Sequence, residues 1–399
     1  LIWGERMKVL MLSWEYPPMN VGGLANHVYY LSKNLAKRGI EVHVITSAYQ
    51  NSLIEEIVMG VHVHRVFPIN IESNDFVKNI MHLNFAIIER AITLFDGIGK
   101  VDIIHAHDWL VAYAAKTIKN AYTIPIITTI HATEQGRNNG IWTEEQKYIS
   151  CTEEMLVKES SKVIACSDYM REQINKLFLY SWQDIWVIPN GVESKKFDLK
   201  FDKNRFRINY AENEEKIIFY IGRHVYEKGI QVLIESAPQV LNSYQKVKFI
   251  IGGTGPMTES LKNRVKELGL EARFIFTGYM DEITKLKLFK VADVSVFPSF
   301  YEPFGIVALE AMAAGCPVIT SDIGGFREII KHDNNGLTFY SKDSNSLSFN
   351  ILRILRDKNL SEFLIENAFG TIEDDFTWNR IATITLKNYN KVKFKKKDR

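Results

Sequence analysis

Arg223 and Lys228 stand five positions apart, directly after the apolar run Ile217–Gly222, and Lys228-Gly229 precedes the next amphipathic segment. Two cations at the carboxyl end of a strand suit a diphosphate. The guanidinium offers a planar fork and the ammonium a mobile point charge. Together they would stabilise charge developing on a departing phosphate; the plain alternative is two surface cations on a loop. Glu302 and Glu310 lie eight positions apart in Glu-Pro-Phe-Gly-Ile-Val-Ala-Leu-Glu. Pro303 and the apolar residues after it mark a helix start. Glu302 then falls just outside the positive end of the helix and Glu310 about two turns inside, roughly 10–12 Å away by helical rise. Carboxylates of a retaining glycosidase stand about 5 Å apart, so these two acids are read as touching two parts of one long ligand. Each can accept hydrogen bonds from paired sugar or ribose hydroxyls. The N–H groups of Gly305 and Ile306, at the helix start, could hold a phosphate.

Other candidates sit in the first half. Gly22-Gly23 separates the first apolar run from a helical segment, where small residues let backbone N–H groups approach a phosphate; a tight turn explains the pair equally well. His131 ends the apolar run Ile126–Ile130 and could bond a sugar hydroxyl or a backbone carbonyl. His105 and His107 flank Ala106 on one strand face, before Asp108, but no third metal ligand is evident from the sequence. No Asp-x-Asp pair occurs, so the usual clamp of a nucleotide diphosphate through a divalent cation is not visible. The expectation is no metal and no cofactor.

The elements that must position these residues alternate. In the first half, apolar runs at Val9–Ser13, Val42–Thr46, Ile103–His105, Ile126–His131, Lys162–Cys166 and Trp186–Ile188 read as strands. Leu24–Arg38 and Trp109–Ile118 read as helices between them. Pro189-Asn190-Gly191 breaks the pattern, and a charged stretch to about Lys216 reads as a connection. Strands then resume at Ile217–Gly222, Lys248–Gly252, Arg273–Thr277, Val294–Pro298 and Val318–Thr320. Helices are read at Ile230–Leu241, Met257–Leu268, Ile306–Ala314, Arg327–Ile330 and Phe376–Val392. The spacing predicts an α/β protein with two doubly wound parallel sheets, a ligand being expected in the crevice between them. Residues 1–200 form the first Rossmann-like domain, 201–375 the second, and 376–399 a last helix with a basic tail.

At 399 residues, with 46% apolar and 24% charged residues, two full cores are affordable. A net charge of +2 argues against a nucleic-acid binder. Three cysteines, Cys151, Cys166 and Cys316, with no CxxC spacing, argue against a disulfide framework or structural zinc and fit a cytoplasmic setting. No stretch approaches the apolar length of a membrane span. Leu1–Arg6 lack the apolar core of a leader peptide, and Met7 reads as the start of the fold. The basic run Lys391–Arg399 reads as a solvated, frayed terminus, with contact to an anionic membrane or polymer as the second reading.

These motifs, in this order, resemble the retaining glycosyltransferases of the GT-B fold in glycosyltransferase family 4, near glycogen and α-glucan synthases. The likeness runs from Met7 to Val392. It is carried by Gly222-Arg223-x4-Lys228, Glu302-x7-Glu310, Gly22-Gly23, His131, Asn190-Gly191 and Gly324-Gly325-x2-Glu328. The resemblance implies that Arg223 and Lys228 grip the donor diphosphate, Glu302 the donor-sugar hydroxyls and Glu310 the ribose. It places His131 and Asn190 beside the transferred sugar, Asp108 on the acceptor side and Tyr279 against the nucleobase. Gly22, Gly23, Phe304, Gly305 and Ile306 complete the donor-binding set. The implied reaction moves glucose from ADP- or UDP-glucose to an α-1,4-glucan with retention and without metal. A cell-envelope, lipid or small-glycoside acceptor is the alternative. Two positions depart from the neighbouring glucan synthases: Asn20 replaces a lysine, and Ile323 replaces the threonine of Thr-Gly-Gly.

Overall fold

Strands that are buried along most of their length need cover on both faces, and β-runs such as Ile103–His107, Ile126–Ile130 and Val294–Phe297 are buried at every position. The computed structural model describes residues 6–19, 22–68 and 75–395. Asn20 and the last four residues of the basic tail lie outside them. The chain divides into two compact units. One comprises residues 1–190 and 378–399, the other 191–377.

The first unit carries β1 (Lys8–Leu12), β2 (Glu41–Ser47), β3 (Glu55–Val58), β4 (Val61–Val66), β5 (Ile103–His107), β6 (Ile126–Ile130), β7 (Lys162–Ala165) and β8 (Ile185–Val187). Their order across the sheet is β3-β4-β2-β1-β5-β6-β7-β8. All pairings are parallel except β3 with β4. Alternate β1 residues serve opposite cores. Leu10 and Leu12 pack with the helices Phe76–Ile98 and Ala112–Tyr122, whereas Val9 and Met11 pack with Gly23–Ala36 and Trp378–Lys395. Each fully buried aliphatic side chain contributes about 1.5–3 kcal/mol, which makes a register slip in β1 costly on both faces.

The final helix, Trp378–Lys395, belongs to this first unit. Tyr389 Oη meets His105 Nδ1 at 2.6 Å, and Lys393 Nζ bonds Asp102 Oδ2 at 3.0 Å. The basic run, expected to fray, is therefore helical as far as Lys395. Lys391 to Lys395 continue the helix, which the salt bridge to Asp102 pins.

The second unit carries β9 (Lys216–Ile221), β10 (Val247–Gly252), β11 (Phe274–Gly278), β12 (Val294–Phe297), β13 (Val318–Ser321) and β14 (Leu337–Phe339). They form an all-parallel sheet of order β11-β10-β9-β12-β13-β14. The charged stretch before β9, read from sequence as a connection, is instead packed structure of this unit. It forms the short helix Lys203–Arg207, and Arg207 bonds Asp293 Oδ2 at 2.9 Å and the Val291 carbonyl at 2.5 Å.

Several elements are absent from the sequence reading. The β3–β4 hairpin turns through Met59 and Gly60, both at positive φ, as a two-residue hairpin turn demands; Met-Gly lacks the usual Asn-Gly signature. The helix Glu144–Glu159 opens with a capping box, Thr143 with Gln146. The helices Glu282–Val291, Ser344–Arg356 and Lys358–Asp375 complete the cover of the second sheet.

Candidate functional site

In each sheet the strand order reverses direction at one place, and the loops at the carboxyl ends there form a crevice. In the second unit the reversal lies between β9 and β12. Arg223 and Lys228 follow β9 there, and Glu302 follows β12. Lys228 Nζ meets Glu302 Oε2 at 2.8 Å, and Ser299 Oγ donates to the same oxygen at 3.3 Å. Glu302 is buried. Arg223 is not drawn into the pair. Its side chain is 63% exposed, and its nearest carboxylate, Glu227, lies at 3.5 Å. A weakly held, exposed guanidinium on the same loop as Lys228 is free to swing onto an anion.

Two glycines permit this crowding. At Gly229, φ is +66°, and a Cβ would fall 1.9 Å from the Pro298 carbonyl oxygen. Gly305, at φ +112°, caps the helix Ile306–Ala313, and a Cβ there would press into the Phe326 ring at 2.5 Å. Phe304, buried just before it, packs edge-on to Phe376. Gly305 and Ile306 thus sit where a helix start leaves N–H groups without intrahelical acceptors.

Glu310 lies in the second turn of that helix and is held by Lys285 at 2.9 Å. Lys285 also meets Glu282 at 2.9 Å, and Glu282 in turn meets Lys196 at 3.0 Å. Burial alone would lower the Lys285 pKa, but the carboxylates of Glu310 and Glu282 outweigh it and hold the ammonium charged. Lys285 was not among the residues read from sequence; it lies on the helix Glu282–Val291, which that reading lacks. Tyr279 follows Gly278 at the end of β11 and is 83% exposed.

In the first unit the order reverses between β1 and β5. Gly22-Gly23 follows β1 and starts the helix Gly23–Ala36, where the buried Glu15 carboxylate accepts from the Ala25 N–H at 3.1 Å. One N–H at this helix start is therefore already engaged. Asp108 ends β5 with φ 60° and ψ 176°, a backbone state that costs about 1–3 kcal/mol and clusters at functional sites. Its Oδ1 accepts from the His131 N–H at 2.7 Å, and Arg137 approaches its Oδ2 at 3.9 Å. Burial pushes the Asp108 carboxyl up to about 6, against the opposing pull of Arg137 and the His131 N–H. Burial, then Arg137, pushes the His131 imidazole down to about 3, which keeps it neutral. Glu153 lies nearby, its two oxygens accepting from the Glu134 N–H at 2.9 and 3.1 Å. Burial raises it to about 8.

Asn190 closes this group from the end of the unit, its Oδ1 2.6 Å from His27 Nδ1. His27 stacks edge-on to His131, with ring centroids 4.7 Å apart. The fold thus gathers Asp108, His131 and Asn190, which sequence reading named, with His27, Arg137 and Glu153, which it did not. His27 lies four residues after Gly23 on the buried side of its helix, a helical spacing that could have drawn attention to it. His105 and His107 do share a strand face, but they part company. His105 is satisfied by Tyr389 and by Thr129 Oγ1 at 2.7 Å, whereas His107 turns to His131.

Comparison with known proteins places this arrangement. Residues 201–371 match the family model described as glycosyl transferases group 1, and residues 21–196 match that of glycosyltransferase family 4. An uncharacterized glycosyltransferase of Methanocaldococcus jannaschii is 38% identical over 387 residues, covering 96% of this chain and 98% of the relative. A glycogen synthase of Mycobacterium tuberculosis is 33% identical over 398 residues, covering 96% and 94%. The solved sucrose-phosphate synthase of Thermosynechococcus elongatus superimposes with a TM-score of 0.83 at 24% identity, covering 97% and 99%. The likeness to solved glycosyltransferases extends over both units and identifies the GT-B fold. No helix among the described residues is long and apolar enough to cross a membrane.

Proposed function

Because the chain belongs to the group 1 glycosyltransferases of family 4, we propose that it transfers glucose from ADP- or UDP-glucose to an α-1,4-glucan, with retention and without a metal. The observation that carries this reading is the Lys228–Glu302 pair, with the exposed Arg223 on the same loop as Lys228, at the strand-order reversal of the second unit. On donor binding, Lys228 and Arg223 take the diphosphate oxygens, and the released Glu302 carboxylate accepts from sugar hydroxyls. The cations hold the negative charge that grows on the leaving phosphate. As the anomeric carbon–phosphate oxygen bond breaks, the acceptor oxygen bonds to that carbon from the same face. The leaving phosphate oxygen takes the acceptor proton, so no protein base is needed. Glu310 takes the ribose hydroxyls and Tyr279 flanks the base. His131 and Asn190 border the transferred sugar, and Asp108 lies on the acceptor side.

The glucan acceptor is supported by the 33% identity to a glycogen synthase over nearly the whole chain. A lipid or cell-envelope acceptor is favoured by one observation: the helix Phe76–Ile98 leaves Phe85 and Ile92 exposed. Incubation with ADP- and UDP-sugars against glycogen, maltose and lipid acceptors, with products read by NMR, tests both readings. An α-linked glucosyl product on glycogen or maltose is expected. Transfer to lipid alone would replace the glucan reading, and an inverted linkage would overturn retention.

A further inference from the structure

His27, His107 and His131 come from three different elements of the first unit: the helix after β1, the end of β5 and the residue after β6. Each offers one ring nitrogen, and the three nitrogens lie within 4.8 Å of one another. His27 and His107 are buried, and His131 is partly open, which leaves a way in. Two of the rings hold an unspent atom. His27 Nε2 and His107 Nε2 are buried with no hydrogen-bond partner. A buried polar atom left unpaired costs about 1–3 kcal/mol; of the two, His27 Nε2 is the one a ligand at this cluster would satisfy, because His107 faces His131 with Nδ1.

The tautomer of His27 gives that ligand its character. Its Nδ1 stands 2.6 Å from Asn190 Oδ1, an acceptor, so Nδ1 carries the proton and Nε2 presents a lone pair. A histidine held from behind by such a bond is oriented as metal-ligating histidines are. His107 Nδ1 and His131 Nε2 stand 3.3 Å apart. That is long for an N–H···N hydrogen bond, yet close to the roughly 3.4 Å between nitrogens on a tetrahedral zinc with bonds of about 2.0–2.1 Å.

We propose that His27, His107 and His131 form a zinc-type divalent-cation site, and that its occupancy inhibits the enzyme by withdrawing His131. Three imidazoles with a fourth position open to water suit Zn²⁺ or Co²⁺ and disfavour Mg²⁺. Only the inhibitory consequence rests on the proposed role of His131 at the transferred sugar. The site itself stands apart from that reading.

The test is calorimetric titration of the EDTA-treated, dialysed chain with Zn²⁺, together with the visible absorption of Co²⁺. One site per chain is expected, with the intense bands of tetrahedral cobalt. His27→Gln and His107→Gln should each weaken binding by at least about 100-fold. His62→Gln, in a separate histidine group on β4, should leave it unchanged, and thermal melts would show that the variants fold. Absence of binding to the wild type, or binding that survives His27→Gln and His107→Gln, would overturn the site. Sugar transfer should fall in step with occupancy and return on adding EDTA. Transfer that ignores a filled site would overturn the inhibition while leaving the site. The calorimetry needs no turnover, so it reports even if no sugar is transferred.

Discussion

Lys228 and Glu302 form a 2.8 Å ion pair joining the loop after β9 to the loop after β12. The side chains are 23% and 11% exposed, so each is largely removed from water and each is the other's main compensation. The pair keeps an ammonium and a carboxylate poised, without ligand, where a diphosphate and a sugar would separate them.

Lys228→Met should lower turnover by about 10²–10³-fold, the loss typical of removing one preorganised donor from a charge-stabilising site. Glu302→Gln keeps the shape and leaves Lys228 unpaired. It should lose turnover yet retain nucleoside diphosphate affinity. Steady-state kinetics and calorimetry with UDP and ADP measure both. Unchanged turnover in Lys228→Met would remove that residue from the reaction.

Lys285 supports Glu310 and Glu282 together. Lys285→Met leaves the largely buried Glu310 carboxylate without its partner, while the exposed Glu282 keeps Lys196; this should destabilise the second unit by about 1–3 kcal/mol and raise KM for the nucleotide sugar more than it lowers kcat. Urea unfolding followed alongside kinetics tests this. An unaltered midpoint and KM would mean that Glu310 needs no such support.

Glu153 supplies the pH signature. Burial raises its pKa to about 8, with Arg137 and the Glu134 N–H opposing and the charges of Asp108 and Glu134 adding to the rise. In the unfolded chain it titrates near ~4.3. The folded form therefore binds the extra proton, and the stability this gives is fully present below the unfolded value and is lost as pH rises towards 8. Glu153→Gln should be more stable than the wild type at pH 9 and not at pH 4. Chemical denaturation at the two values checks the sign, and an equal difference at both would contradict it.

Activity should persist in excess EDTA. Charge on the leaving phosphate is assigned to Arg223, Lys228 and the helix start at Gly305, not to a cation. Loss of activity restored by Mg²⁺ would contradict that assignment.

Much of this was legible in the sequence, unevenly. The strands that carry the site are short, mostly apolar runs closed by glycine or polar residues, and a sheet buried on both faces leaves that trace. β14 and β3 escaped because three or four residues with mixed polarity give no such run, and β4, Val61–Val66, because histidines and an arginine interrupt it. The residues near the strand ends were named from their types and order. Their partners were not, because Lys285 and His27 act through contacts that only the three-dimensional packing creates. His105 and His107 were indistinguishable in sequence. Tyr389, 284 residues away, takes up the first and leaves the second to His131.

The most direct measurement is a crystal structure of the chain with UDP-glucose or ADP-glucose. The diphosphate should lie within hydrogen-bonding distance of the Arg223 guanidinium and the Lys228 ammonium, with the 2.8 Å contact to Glu302 opened and Glu302 turned to the sugar hydroxyls. A nucleotide sugar bound elsewhere, with Lys228 and Glu302 still paired and Arg223 still in solvent, would contradict it.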